Sequence, residues 1–221
     1  VRTKYIRQKV SKLVKEASIT QVIILGSGYD TLAVRKKKYP VTYIEIDTQQ
    51  ILDSKLAIYT QRSIDSNAVY LPGDYCEDLL TLLKNPKIDS KQKTVIIWEG
   101  NTFYLAKEQI EKVLSEISSH FETLFLLIDY IHSDVFTKTA ELDAIAGKKS
   151  YTDMFEFFAS IQAPFQTGFN PDEFDTLAKK FGFFVQDRKT AAALAIEYQC
   201  DENPYYTAKD YSLTTLQKTL I

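Results

Sequence analysis

Two cysteines and two histidines are all that 221 residues hold of the side chains that most often bind transition metals. Cys76 and Cys200 stand far apart in the chain and cannot build a disulfide framework. Neither they nor His120 and His132 have the spacing of a metal site. The expectation is a cytoplasmic protein without metal. An excess of one charge is missing too. Against 29 Asp and Glu there are 27 Lys and Arg, a formal net charge of -2, which gives no general attraction to nucleic acid. The one basic cluster, Arg35 to Lys38, has the character of a solvated helix end. No apolar run approaches the ~20 residues of a membrane span, and the opening VRTKYIRQKV lacks the layout of a signal peptide. The first residue is not Met, and a missing N-terminal part is expected.

What is present is an ordinary globular composition, 45% hydrophobic and 25% charged, enough for one domain over residues 1–221 with a fully buried sheet. Helical spacing of Ile6, Val10, Leu13, Val14 and Ala17 leads into an apolar strand, Val22 to Leu25. Leu32 to Lys38 reads as a short helix broken by Pro40, and VTYIEID as a β-branched and aromatic strand. A helix carrying Ile51, Leu52, Lys55, Leu56 and Tyr59, the strand AVYLPGD and the helix LLTLLK follow. KTVIIWEG and ETLFLLIDY are two further strands, and the helix between them places Ile110, Val113, Leu114 and Ile117 on one face. Asn170, Pro171, Glu173 and Gly182 mark the start and stop of another helix. FFVQD and AALAIEYQ then read as two final strands, an antiparallel edge hairpin. Roughly residues 131–169 form an aromatic, loop-rich insert, expected to cap the site without being a second domain.

Strands alternating with helices predict a doubly wound α/β fold, mostly parallel, because parallel neighbours need a crossover connection. In such a sheet ligands bind beyond the carboxyl ends of the strands. Those ends read Gly26 and Gly28, then Glu45 and Asp47, then Gly73 and Asp74, then Glu99. Glycines let the backbone approach a ligand, and an acid ending the second strand can accept both ribose hydroxyls. A nucleoside cofactor is implied. The dinucleotide fingerprint needs a third small residue where this chain has Thr31, and Asp30 and Asp74 add negative charge where a diphosphate would sit. That disfavours an NAD-type oxidoreductase and favours S-adenosylmethionine, which brings an amine, a ribose and an adenine but no phosphate. A non-catalytic cofactor-binding module is the other alternative.

The blocks QVIILGSGYDTLAVR, YIEID, PGD and WEGNTFYL occur in that order, with Arg2 about two dozen residues before the glycines. Over Arg2 to about Leu105 the chain resembles the leucine carboxyl methyltransferase family and its bacterial O-methyltransferase relatives. The resemblance implies a Rossmann-like class I methyltransferase fold, S-adenosylmethionine as cofactor and S-adenosylhomocysteine as product. It implies that Arg2 pairs with the methionine carboxylate and Glu99 with its amino group. Gly26 and Gly28 would pass beneath, flanked by Asp30; Asp47, or alternatively Glu45, would bind the ribose; and Asp74 and Tyr75 would hold the adenine. Trp98, where relatives often have a small residue, would narrow the pocket wall. The acceptor would be a small-molecule or protein C-terminal carboxylate, or another acidic oxygen. Tyr104 and His132 are the candidate catalytic residues. No histidine lies in the matched blocks, which favours an acceptor that needs no base.

Overall fold

The computed structural model describes residues 1–35, 40–147, 149–200 and 209–219. Of the basic cluster only Arg35 lies among them, so the reading of Lys36, Lys37 and Lys38 falls outside the described residues. Helix α1 (Arg2–Glu16) buries Tyr5, Ile6 and Val10 and leads into β1 (Gln21–Leu25), every residue of which is buried. Then come α2 (Leu32–Arg35), β2 (Thr42–Asp47), α3 (Gln49–Gln61), β3 (Val69–Pro72), α4 (Tyr75–Leu83) and β4 (Thr94–Trp98). A short 3-10 turn, Thr102–Tyr104, precedes α5 (Lys107–His120) and β5 (Leu124–Ile131). Three helices follow, α6 (Asp134–Thr137), α7 (Thr139–Ala146) and α8 (Ser150–Ser160), and then α9 (Pro171–Lys180), β6 (Phe184–Thr190), α10 (Ala191–Glu197) and β7 (Tyr211–Lys218).

The seven strands form one sheet in the order β3-β2-β1-β4-β5-β7-β6. The first five are parallel, and β7 pairs antiparallel with both β5 and β6. The class I methyltransferase layout expected from the sequence is therefore present. Side chains alternate across β1: Ile23 and Leu25 pack with Leu79, Ile110, Val113 and Phe174, whereas Val22 and Ile24 pack with Ile6, Val10, Leu32 and Leu194. Helices thus cover both faces, which is why the parallel strands read as apolar runs and not as alternating patterns. Each fully buried Ile or Leu contributes about 1.5 to 3 kcal/mol relative to an exposed one.

Three expectations need correction. Residues 192–199 were expected to be a strand but fall largely in α10. Thr190 Oγ1 accepts from Ala193 N at 3.1 Å to cap that helix, and the run of alanines behind the cap has the highest helix propensity of any residue. The hairpin partner of β6 is instead β7, a strand that the sequence reading passed over. The insert, expected to be loop-rich, carries α6, α7 and α8, whose Val135, Leu142 and Tyr151 pack with Phe103 and Ile131 in a third core of their own. Helix α9 starts as expected, with Glu173 accepting from Asn170 N at 2.6 Å.

Candidate functional site

Strand order reverses between β1 and β4, which run out in opposite crossover directions and leave a crevice beyond their carboxyl ends. Leu25 gives way there to Gly26, whose φ of +61° is a left-handed conformation. A Cβ on Gly26 would lie 2.8 Å from the amide of Asn101. Asn101 Nδ2 in turn donates to Glu99 O at 2.8 Å, so the glycine lets the β1 loop close against the end of β4. Gly28 N donates to Asp47 Oδ2 at 2.7 Å, and Thr48 N donates to Asp47 Oδ1 at 2.7 Å. The end of β2 is thereby tied to the glycine loop. Each Asp47 oxygen keeps a lone pair for a further donor.

Helix α1 begins at Arg2 and carries that side chain over the crevice. Arg2 Nε donates to Glu99 Oε1 at 2.7 Å, and Thr3 Oγ1 donates to the same oxygen at 3.2 Å. A cavity of about 290 Å³ beside them is lined by Arg2, Arg7, Gly26, Ser27, Asp30 and Glu99 among others. Asp30 Oδ1 accepts from Leu32 N at 2.5 Å and starts α2. Asp47, Asp74 and Tyr75 stand outside this cavity. Asp74 is exposed, and its Oδ1 accepts from Cys76 N at 2.8 Å to cap α4. Tyr75 is half-buried, its ring edge-on to Trp98 at 6.1 Å.

Glu45 lies elsewhere. Its carboxylate is fully buried and ion-paired with Lys55 Nζ, itself buried. Burial pushes the Glu45 carboxyl up against the opposing pull of Lys55. Residues two apart share a strand face, but only Asp47 reaches the rim. Trp98 is wholly buried in the core and does not line this cavity.

Behind Arg2 lies a group that the sequence reading missed. Asp129, fully buried near the end of β5, accepts from Gly100 N at 2.8 Å through Oδ1. Its Oδ2 accepts from the Tyr211 hydroxyl of β7 and lies 3.6 Å from Arg2 Nη1. Arg2 Nη1 also donates to Tyr211 Oη at 3.0 Å. Burial pushes Asp129 up to about 6, against the pull of Arg2, Tyr211 and Gly100. Burial likewise raises Tyr211 well above the usual phenol value, with Asp129 adding to the rise. Arg2 loses some of its basicity to burial, but Tyr211, Asp129 and Glu99 outweigh that and raise it. The signal for Asp129 was available, an acid at the end of an apolar strand like Asp47 and Glu99. Tyr211 had none, because its strand was unread.

Tyr104 lines a second cavity of about 450 Å³, together with Phe103, Met154, Phe158 and Phe165. Arg2 lines both cavities. His132 does not line this one: its Nε2 is 2.8 Å from Ser212 Oγ, its Nδ1 is 3.8 Å from Asp210, and burial lowers its basicity.

The sequence profile of the leucine carboxyl methyltransferase family matches residues 1–118, more than half of the 221. The chain belongs to the leucine carboxyl methyltransferase family. Among relatives of this family member, a candidate S-adenosyl-L-methionine-dependent methyltransferase of Mycolicibacterium gilvum is 32% identical over 110 residues, 48% of this chain and 36% of that protein. One of Frankia alni, named in the same way, is 28% identical over 122 residues, 54% of this chain and 42% of that one. The chain thus matches less than half the length of either relative. Among solved structures, a DUF574 family protein of Streptomyces avermitilis superposes with a TM-score of 0.70 at 14% identity, over 98% of this chain and 82% of that one. The magnesium protoporphyrin IX methyltransferase of Synechocystis, solved with S-adenosylhomocysteine, superposes with a TM-score of 0.60 at 11% identity, over 98% and 83%. At such identities the family member shares a fold with them. Among the described residues no helix is long and apolar enough to cross a membrane.

Proposed function

We propose that the chain binds S-adenosylmethionine at the carboxyl ends of β1 to β4 and transfers its methyl group to an oxygen of an acceptor, a carboxylate or another acidic oxygen. The observation that carries this reading is the opposed pair of Arg2 and Glu99, 2.7 Å apart on one cavity. A guanidinium beside a carboxylate matches the carboxylate and ammonium of an amino-acid end. Arg2 then binds the methionine carboxylate and Glu99 the ammonium, above the loop of Gly26, Gly28 and Asp30. Asp47 accepts the ribose hydroxyls on the lone pairs that Gly28 and Thr48 leave free, and Asp74 and Tyr75 hold the adenine. Glu45, closed off by Lys55, takes no part.

The bound cofactor supplies a methyl already activated by its sulfonium. The chain's task is to orient the acceptor oxygen in line at near-attack distance and to keep water out. Helices α6 to α8 form the cap on the acceptor side, and Tyr104 lines its wall. His132, turned to Ser212, is not the base. The names of the two relatives support the reading.

Calorimetry with S-adenosylmethionine, S-adenosylhomocysteine and NAD tests it. Binding of both sulfur ligands without NAD is expected, and tight NAD binding with no signal for either would overturn it. A screen with labelled cofactor over small acids, phenols and protein C-termini then finds the acceptor.

A further inference from the structure

The 450 Å³ cavity differs from the one beside Glu99 in chemistry. Its wall is a set of rings in mutual edge-on or stacked contact. Phe165 lies 4.5 Å from Phe158, stacked, and 4.8 Å from Phe103 and 5.4 Å from Tyr104, edge-on. Tyr104, Phe158 and Phe165 are only half-buried and line the cavity, so part of each ring is left to face it. Among the described residues that line it, Arg2 is the one charged side chain and stands with Tyr211 at the polar end.

That polar end has a direction. The single Tyr211 hydroxyl proton is donated to Asp129, and Arg2 Nη1 donates to the Tyr211 oxygen at 3.0 Å. A phenol oxygen has two acceptor sites, so one remains, and it can receive a proton donor only. A carboxylate offers none. With the cofactor in place, Arg2 is in addition already matched by the methionine carboxylate and by Asp129 at 3.6 Å, and a further carboxylate beside them would be repelled. A neutral hydroxyl meets neither obstacle.

We propose that this cavity is the acceptor site and takes a planar aromatic alcohol, its rings against Phe103, Phe158 and Phe165 and its hydroxyl donating to Tyr211. The inference rests on the methyl-transfer reading above and narrows its acceptor to a phenol. As the oxygen-methyl bond forms, the methyl-sulfur bond breaks and its electron pair stays on sulfur. The hydroxyl proton passes to Tyr211 while the Tyr211 proton moves to Asp129. Arg2, shared by the two cavities, places the two ligands side by side.

Binding of 2-naphthol to the full chain, followed by its fluorescence with S-adenosylhomocysteine present, tests the site. Its saturated analogue decahydro-2-naphthol and its carboxylate analogue 2-naphthoate are the competitors. The expected order is 2-naphthol tightest, by about tenfold over either competitor. Phe165→Leu keeps an apolar side chain but removes a ring, and should cost 2-naphthol about three- to tenfold, in line with aromatic pair energies. S-adenosylhomocysteine affinity, measured on the same variant, reports whether it is folded. Tyr211→Phe removes the accepting oxygen and should abolish the preference for 2-naphthol over naphthalene. Tighter 2-naphthoate than 2-naphthol, or a Phe165→Leu protein with unchanged 2-naphthol affinity, would overturn the proposal. No binding of S-adenosylhomocysteine by the wild type would instead sink the cofactor reading itself.

Discussion

Arg2 and Glu99 meet at 2.7 Å, so the first turn of α1 is pinned to the end of β4 by the same two groups that an amino-acid ligand would need. A ligand with both charges can exchange one ion pair for two. Arg2→Ala should therefore weaken S-adenosylhomocysteine by about 1.5 to 3 kcal/mol, roughly ten- to a hundredfold, as for hydrogen bonds to charged groups. Methylthioadenosine keeps the adenine, ribose and thioether but has no amino-acid end, so its affinity should hardly change. Equal losses in a calorimetric comparison would mean that Arg2 supports only the fold.

Asp47 and Glu45 share a strand face and differ in reach. Asp47→Ala removes the acceptor for Gly28 N and should weaken S-adenosylhomocysteine by roughly 1 to 3 kcal/mol. A larger loss from a charge-neutral replacement of the Glu45 and Lys55 pair would reverse this assignment.

That pair is read out by stability. Lys55→Met leaves the buried Glu45 carboxylate without its cation and should cost about 3 to 5 kcal/mol in urea unfolding. Adding Glu45→Gln should recover most of the loss, because the uncompensated charge is then gone. If Lys55→Met alone unfolds like the wild type, the buried ion pair is not what holds α3 against β2.

Gly26→Ala meets two obstacles, the Asn101 amide at 2.8 Å and a left-handed φ of +61°. Asn101→Ala in the same chain relieves the first and not the second. Partial recovery of melting temperature is expected, with roughly 1 kcal/mol still missing from the backbone conformation. Full recovery would mean that the clash alone matters.

Asp129 makes a pH prediction. Its carboxyl titrates near 3.8 in the unfolded chain and at about 6 in the folded one. Between these values the folded state holds a proton that the unfolded state has released, so this group's contribution to stability falls as pH rises through the window. The change is roughly 2 to 3 kcal/mol. Asp129→Asn should flatten the wild-type slope between about pH 4 and 6, measured by urea unfolding at each pH. An undiminished slope in the variant would assign it to other groups, the likewise raised Glu45 carboxyl among them.

The sheet and most of the glycines and acids at its carboxyl rim were legible in the residues themselves. Buried parallel strands must be apolar along their whole length and must end where the chain turns polar, so Gly26, Asp47, Asp74 and Glu99 announced themselves by position. Local chemistry also marked α9, through Asn170, Pro171 and Glu173. What local pattern could not decide was which of two acids on one face is buried: Glu45 and Asp47 differ only in what lies opposite, and Lys55 arrives from another element. The same holds for Asp129, whose role comes from Arg2 at one end of the chain and Tyr211 near the other. Strand β7 is buried on both sides between β5 and β6, so no alternation marked it, while the Ala-rich α10 imitated a strand. The aromatic cavity depends most on tertiary structure. Its rings come from the turn after β4, from α8 and from the segment behind it. Only packing brings segments so distant in sequence to a single wall, because side-chain contact, unlike periodicity, is not a local property of the chain.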